Sequence, residues 1–140
     1  MYGDLFERIA ARIADLTARR ARHDLSLLHF GVAGYAIVRS TEREAQEELA
    51  RITDVKQSAA GFANYQQWLA GTQLEQSLSI AEYSVSNRGL RCGLVGTPEM
   101  VEEQLARFAA AGVDLMLLQF SPQQEEMERF SSSIIRPTAS

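Results

Sequence analysis

The sequence predicts an α/β domain with parallel strands, because apolar runs alternate with segments of helical periodicity along its 140 residues. Two of these runs, residues 25–38 and 113–120, lack the alternation of a half-exposed strand and are typical of strands covered on both faces. The composition supports this prediction, since 46% of the residues are hydrophobic and 23% are charged. A chain of this length is expected to form one domain.

The first predicted element is an amphipathic helix that begins at Asp4 and ends near Arg20. Asp4 and Glu7 have the spacing of a capping box, and apolar residues then recur every three or four positions. A polar break at residues 22–24 separates this helix from the next element.

The second element is a strand over residues 25–38, with the sequence LSLLHFGVAGYAIV. It contains no charge and is bounded by Asp24 and Arg39. We expect this strand to be buried on both faces, so that His29 is a structural histidine rather than a metal ligand.

A second capping box, Thr41 with Glu44, opens an acidic helix that ends near Ile52. The periodicity of apolar residues weakens after this helix. We interpret residues 53–91 as an insertion with partial helix, mobile at its carboxyl-terminal end.

Regular structure returns at residues 92–96, CGLVG, which read as a short buried strand. Thr97 is placed to cap the following helix, with Pro98 at its first position, and Gly112 is placed to end it. Cys92 is expected to be a small buried hydrophobe rather than a reactive thiol.

The last strand is predicted over residues 113–120, VDLMLLQF. Pro122 then opens a final helix, on which acidic pairs such as Glu125 and Glu126 usually face solvent. Residues 131–140 are expected to form a frayed tail.

Charge and cysteine content exclude several function classes. The net charge of −4 disfavours binding to nucleic acid. No run approaches the roughly 18 apolar residues of a membrane span. A single cysteine and an amino terminus without the pattern of an export signal favour a reducing, cytoplasmic location.

No catalytic motif or metal-ligand spacing is present in the sequence, so position within the fold is the remaining guide. Functional residues of parallel α/β proteins gather at the carboxyl ends of strands, here residues 35–40, 95–97 and 119–123. Tyr35 and Phe120 fit either a pocket lining or the core. Gly96-Thr97-Pro98 fits an anion site or a plain helix cap, and the cap is favoured because Pro98 lacks an amide donor.

Three sequence blocks resemble the bacterial luciferase-like, flavin-dependent monooxygenases. They are residues 93–130, GLVGTPEMVEEQLARFAAAGVDLMLLQFSPQQEEMERF, residues 28–45, LHFGVAGYAIVRSTEREA, and residues 86–99, SNRGLRCGLVGTPE. Their order and turn sequences are most similar to the branch that contains dimethyl-sulfone and alkanesulfonate monooxygenases.

The resemblance implies the carboxyl-terminal part of a (β/α)8 TIM barrel, incomplete in this chain. Residues 1–140 would be a single partial barrel domain, with residues 53–91 as a lid over the active site. The activity implied is that of a two-component enzyme, in which a separate flavin reductase supplies reduced FMN. A flavin hydroperoxide formed with O2 then oxidises a small organosulfur compound.

The resemblance also implies a substrate pocket formed by Tyr35, Arg88, Gln119 and Phe120. The alkanesulfonate branch has an Arg-x-His sequence where this chain has Ala33, Gly34 and Tyr35. The missing cation favours a neutral substrate such as a dialkyl sulfone. Arg88 fits a gating or substrate-facing cation and fits an exposed loop arginine equally well. No catalytic residue is identified, and most flavin-contacting residues are expected upstream of Met1.

Two alternatives remain open. The chain fits a non-catalytic fragment or assembly piece of such a barrel, without the flavin site, which predicts exposed apolar strand edges and either a homo-oligomer or poor solubility. It also fits a relative that uses deazaflavin in place of FMN. The residues that would distinguish the two cofactors are expected upstream.

Overall fold

The computed structural model describes residues 3–54, 63, 66–67, 70 and 89–138. Helices and parallel strands alternate within these ranges, as predicted. The helices are α1 Gly3–Arg22, α2 Glu42–Thr53, α3 Pro98–Ala110, α4 Gln123–Phe130 and α5 Arg136–Thr138. The strands are β1 Gly31–Tyr35, β2 Ile37–Val38, β3 Val95–Gly96 and β4 Leu115–Gln119. None of the helices described is long and apolar enough to cross a bilayer.

The central stretch of the sheet, residues 31–38, changes partner at Ala36. Before it, β1 runs parallel to β4, with Tyr35 opposite Gln119. After it, β2 runs parallel to β3, with Ile37 opposite Val95. The Ala36 amide donates to the carbonyl of Gln119 at 3.3 Å, and the next amide, of Ile37, donates to Leu94 at 2.8 Å. Successive amides of a strand point to opposite edges, so β4 and β3 flank the central stretch on opposite sides.

The predicted strand over residues 25–38 is wrong in its first part. Residues 25–30 lie outside any strand, and the side chain of His29 is 93% exposed rather than buried. The strand is shorter than predicted because its partner strand β4 is short. Hydrogen bonds from the β4 side of the sheet begin at Asp114. The Phe30 amide donates to the Asp114 carboxylate at 2.8 Å, and pairing begins at Gly31.

The side chains of residues 35–38 alternate between two apolar clusters. Ala36 and Val38 belong to the first cluster, which α1, α3 and α4 complete with Ile13, Phe108 and Phe130. Tyr35 and Ile37 belong to the second, which α2 completes with Ala45, Leu49 and Ile52. The prediction of burial on both faces is therefore confirmed for this part of the strand.

The predicted buried strand over residues 113–120 is shorter, as β4, and is covered on one face only. Met116 and Leu118 pack against the first cluster, but Leu115 and Leu117 are 64% and 66% exposed. Alternate residues of a strand point to opposite faces, so the first cluster covers one face of β4. On the other face of the sheet, the α2 residues of the second cluster contact Tyr35 and Ile37 of the central stretch. These contacts lie nearer to the carboxyl ends of the strands than Leu115 and Leu117 do.

The strand predicted over residues 92–96 is reduced to Val95–Gly96, because a 3₁₀ turn occupies Leu90–Cys92. Gly89 and Gly93 flank this turn with positive φ angles of 75° and 73°. A Cβ atom on Gly89 would lie 3.1 Å from the Cα atom of Gly34, so the turn presses directly on β1. Cys92 is buried, as predicted.

Helix ends follow the predicted signals in α2 and α3. Thr41 and Glu44 form a complete capping box, and the Thr97 hydroxyl accepts a hydrogen bond from the Met100 amide. Gly112 follows α3 with a φ of 101°, a conformation that favours glycine.

Two expectations for the chain ends are wrong. The first helix begins at Gly3, so Asp4 lies inside it rather than at its cap, and it continues to Arg22. Residues 131–138 are not frayed. They continue α4 through a π-helical turn, Ser131–Ile135, into α5, because Ile134 is buried in the first cluster. Most of the predicted insertion at residues 53–91 lies outside the described residues.

Candidate functional site

The carboxyl ends of the strands meet at one edge of the sheet, as their parallel direction requires. The Arg39 amide, directly after β2, donates to the carbonyl of Gly96 at 3.0 Å. On the other side, Ala36 bonds to Gln119 at the end of β4. This edge is where parallel α/β proteins carry their functional groups, and it is the candidate site.

Tyr35 lies at this edge but faces α2. Its ring is buried in the second cluster together with Leu49 and Ile52. Its hydroxyl donates to the carbonyl of Ser121 at 3.5 Å, which links the end of β1 to the loop after β4. Tyr35 therefore contacts two of the elements that surround the candidate site.

The other predicted pocket residues are divided between the two sides of the sheet. Gln119 is exposed and lies opposite Tyr35 in the register. Phe120 packs edge-on against Phe130, with ring centroids 5.4 Å apart, and belongs to the first cluster. Tyr35 and Gln119 are thus neighbours, whereas the rings of Tyr35 and Phe120 lie in different clusters. Arg88 lies outside the described residues. A substrate role for all four remains a prediction.

A buried ion pair between Arg39 and Glu126 lies at this edge of the sheet. The sequence analysis did not predict it. The Arg39 guanidinium donates to both Glu126 oxygens, at 2.8 and 3.0 Å. The two side chains are only 14% and 6% exposed. The sequence signal was the position of Arg39, the first charge after an uncharged buried strand. Glu126 was expected to face solvent, because a sequence does not show which of several helix acids would meet that arginine.

Three further charges extend this pair into a network across α2, β2 and α4. Glu48 lies 3.7 Å from Arg39 and also accepts hydrogen bonds from Arg51 at 2.6 and 3.0 Å. Arg129 lies 3.6 Å from Glu126. The hydrogen bonds from Arg51 hold the pKa of Glu48 below its ordinary value, although burial acts in the opposite direction. The network fixes α2 and α4 to the end of β2.

Cys92 is not placed to act as a nucleophile. It is buried, its Sγ atom donates to the carbonyl of Ala33 at 3.3 Å, and burial raises the pKa of the thiol. A reactive cysteine needs a lowered pKa and access to solvent. The prediction of a small buried hydrophobe is consistent with this geometry.

The turn before α3 is a helix cap. The Thr97 hydroxyl already accepts from the Met100 amide, and Pro98 has no amide proton to offer an anion. In the described residues, no three His, Cys, Asp or Glu side chains are grouped as a metal site would require.

An apolar groove lies at the opposite end of the sheet from the candidate site. It has a volume of about 330 Å³ and lies between α1 and the start of β1. Its lining consists of Ile9, Arg12, Ile13 and Leu16 from the helix, and of Phe30 with the first three residues of β1. The groove is therefore the contact region between a helix and a strand, and it is not part of the candidate site at the carboxyl edge of the sheet.

Comparison with known proteins connects this geometry to a family. A family model described as luciferase-like monooxygenase matches residues 3–115. The chain is 32% identical over 140 positions to an FMNH(2)-dependent dimethylsulfone monooxygenase of Pseudomonas fluorescens (strain Pf0-1). It is 30% identical over 146 positions to the protein of the same name from Pseudomonas putida. A sulfoquinovose monooxygenase of Novosphingobium aromaticivorans is 26% identical over 152 positions.

The similarity includes nearly all of this chain but only part of each relative. Between 95% and 96% of the chain is aligned, against 38% of each dimethylsulfone monooxygenase and 42% of the sulfoquinovose monooxygenase. The chain therefore spans about two fifths of the length of the curated relatives it matches.

Proposed function

The chain belongs to the luciferase-like monooxygenase family, and on that premise we propose that it acts as part of a two-component, FMNH2-dependent monooxygenase. The proposed substrate is a small neutral organosulfur compound, such as a dialkyl sulfone. The chain would supply the carboxyl-terminal strands of a (β/α)8 barrel, and a separate flavin reductase would be its partner. The observation that carries this proposal is the identity of 32% and 30% to two dimethylsulfone monooxygenases over 95% of the chain.

The phosphate of FMN requires a free cation or free backbone amides. Arg39, the buried cation at the candidate site, is held by Glu126, and the Thr97 hydroxyl is held by the Met100 amide. These residues do not fit the phosphate. The flavin contacts in this proposal therefore lie on other strands of the barrel.

The residues of this chain contribute the substrate side of the site in this proposal. Tyr35 and Gln119 lie side by side at the carboxyl edge, and the Tyr35 hydroxyl bonds to the loop after β4. Ala33 lies two residues before Tyr35 on β1, and its methyl side chain presents no charge to a substrate. An uncharged wall favours a sulfone over a sulfonate, because an anion would be desolvated there without a partner.

The test uses the polypeptide in which this chain occurs, supplied with FMN, NADH, a flavin reductase, O2 and dimethyl sulfone. Cleavage of one carbon–sulfur bond, with two electrons and two protons from the reduced flavin, yields methanesulfinate, formaldehyde and water. We expect methanesulfinate to form only when the sulfone and the reductase are both present. Failure to form it, together with no sulfone-dependent oxygen uptake, would contradict the proposed activity.

Site variants make the substrate assignment more specific. We expect Gln119→Ala and Arg88→Ala to raise KM for the sulfone by about tenfold, the effect of losing one polar contact. Gln124→Ala and Arg91→Ala are the matched controls, since both replaced side chains are exposed and were not predicted to face the substrate. Equal effects in the test and control variants would remove Gln119 and Arg88 from the proposed pocket.

A second candidate function, a non-catalytic assembly piece, is favoured by one observation. Leu115 and Leu117 on β4 are largely exposed, as expected for a sheet that packs against another polypeptide. Binding of FMN by this chain alone, measured by quenching of flavin fluorescence, would contradict this candidate.

A further inference from the structure

Arg39 joins the carboxyl ends of the strands to one another. Its amide donates to the carbonyl of Gly96, the last residue of β3, at 3.0 Å. Its guanidinium donates to both oxygens of Glu126 on α4, the helix that follows β4. The same guanidinium donates to the carbonyl of Val38, the last residue of β2, at 2.9 Å. The side chain of Arg39 therefore has a fixed orientation, and it holds α4 against the ends of β2 and β3.

The loop between β4 and α4, residues 120–122, is held on two sides. On one side, the Ser121 carbonyl accepts from the Tyr35 hydroxyl at 3.5 Å, a distance at which a hydrogen bond alone constrains the loop weakly. On the other side, the Glu126 amide donates to the Pro122 carbonyl at 3.2 Å. The carboxylate that binds the guanidinium therefore belongs to the helical turn in which the loop ends, and the ion pair fixes the loop through this turn.

We propose that Arg39 is a positioning residue, which acts through Glu126 on the loop after β4 and so sets the size of sulfone that the site accepts. Gln119 of the proposed substrate side leads directly into this loop and lies beside Tyr35 in the register. A displaced loop therefore changes the width of the site. Arg39 is not itself a substrate contact, because its side chain is only 14% exposed and already binds Glu126. The inference rests on the proposed function and concerns the selection between small and larger neutral sulfones.

The use of an ion pair at this place favours a role in position over a role in stability. Apolar residues of similar volume often stabilise a fold as well as a buried ion pair does, or better. Apolar contacts, however, have no preferred direction. The two parallel hydrogen bonds of a guanidinium–carboxylate pair fix distance and orientation together. Such a constraint is valuable beside an active site, where a displacement of about 1 Å can cost roughly a hundredfold in rate.

Two variants separate position from stability. Arg39→Met combined with Glu126→Leu removes both charges and keeps apolar packing of similar volume, so this double variant should stay folded. Arg39→Lys keeps the charge but loses the paired hydrogen bonds, because an ammonium group cannot form the guanidinium fork. The matched control is Arg43→Ala, which removes an arginine from an exposed ion pair with Glu47 on α2.

The test measures kcat/KM for dimethyl sulfone and for diethyl sulfone, in the polypeptide in which this chain occurs. The ratio of the two values does not depend on how much of the enzyme is folded, so a purely structural role for Arg39 leaves the ratio unchanged. We expect the preference for dimethyl sulfone to fall by about tenfold in the double variant and in Arg39→Lys, because a less constrained loop admits the larger substrate. Arg43→Ala should keep the wild-type ratio. An unchanged ratio in both the double variant and Arg39→Lys would overturn the inference.

Hydrogen exchange in the same polypeptide distinguishes a failure of this inference from a failure of the proposed function. If the wild type oxidises neither sulfone, the proposed function is wrong, and the amides of Ala36 and Glu126 decide whether Arg39 positions the loop. These two amides donate to Gln119 and Pro122, at the two ends of the loop. We expect both to exchange faster in the double variant than in the wild type, while the amides of α1 keep their rates. Unchanged exchange at both amides would show that Arg39 has no such role.

Discussion

Arg39 and Glu126 form the contact in which a single substitution has the largest expected effect. Glu126→Gln keeps the shape of the side chain but leaves the guanidinium of Arg39 buried with Glu48, at 3.7 Å, as its one carboxylate partner among the described residues. Breaking a buried pair in this way typically lowers the free energy of unfolding by about 3 kcal/mol. Urea denaturation of the variant and the wild type measures this difference.

A surface pair and a double variant serve as controls for that prediction. Arg43 and Glu47 are exposed and 3.3 Å apart, so Arg43→Ala should change the free energy of unfolding by less than about 0.5 kcal/mol. Replacing both buried partners, with Arg39→Met and Glu126→Leu, should recover most of the lost stability, because no unpaired charge remains. A Glu126→Gln variant as stable as Arg43→Ala would show that the buried pair has no special role.

Glu48 gives the network a dependence on pH. The hydrogen bonds from Arg51 hold the pKa of Glu48 below its ordinary value of 4.5 in the folded chain. The folded state therefore gains stability from ionised Glu48 at pH values above 4.5, and loses it as the pH falls through the lowered pKa. We expect the difference in unfolding free energy between the wild type and Glu48→Gln to be constant near neutral pH and to shrink below about pH 4.5.

The comparison with Arg51→Ala identifies the cause of that dependence. Arg51 provides the largest contribution to the shift, so its removal should reduce the pH-dependent difference in the same range. The effect is small, since Arg51 is mostly exposed and solvent screens the pair. A difference between the wild type and Glu48→Gln that stays constant down to about pH 3 would contradict the prediction.

At the scale of single elements, the capping box of α2 has a testable contribution. The Thr41 hydroxyl accepts from the Glu44 amide at 3.2 Å, and the Glu44 carboxylate accepts from the Thr41 amide at 3.1 Å. Thr41→Ala should therefore lower the free energy of unfolding by about 1 kcal/mol, while Thr41→Ser keeps the hydroxyl and should change it little. Thermal unfolding followed by circular dichroism compares the two variants, and equal midpoints would show that the cap is not stabilising.

Elements with local signals were predicted well, and elements that depend on distant partners were not. The starts of α2 and α3 follow from Thr41 and Thr97, because a cap is made by residues three positions apart. The ends of the strands depend on where their partners begin. No local signal at residues 25–30 indicates that β4 provides no partner there, so the predicted strand was too long.

In the candidate site too, features set by the local sequence were predicted, and features set by distant contacts were not. Parallel strand direction alone predicts that the carboxyl ends meet, which explains why Tyr35 and Gln119 were expected together and lie together. The orientation of the Tyr35 ring depends on α2, and the pairing of Arg39 with Glu126 joins residues that are 87 positions apart. Neither is encoded by any short pattern in the sequence.

At the scale of the whole molecule, the two apolar clusters share one strand. Consecutive residues of the central stretch point alternately into the first and the second cluster, and Arg39 at its end is bound by side chains from both α2 and α4. A change in either cluster therefore displaces a backbone that the other cluster also needs. We expect the described parts of the chain to unfold as one cooperative unit rather than as two layers.

The same substitution placed in each cluster tests this cooperativity. Ile134→Val alters the first cluster and Ile37→Val the second, and each removes one buried methylene group. Each should lower the free energy of unfolding by about 0.5–1.5 kcal/mol. If the chain is one unit, native-state hydrogen exchange will show that Ile134→Val lowers the protection of the α2 amides by as much as Ile37→Val does. Loss of protection confined to α3 and α4 in Ile134→Val, with α2 unchanged, would mean that the two clusters open independently.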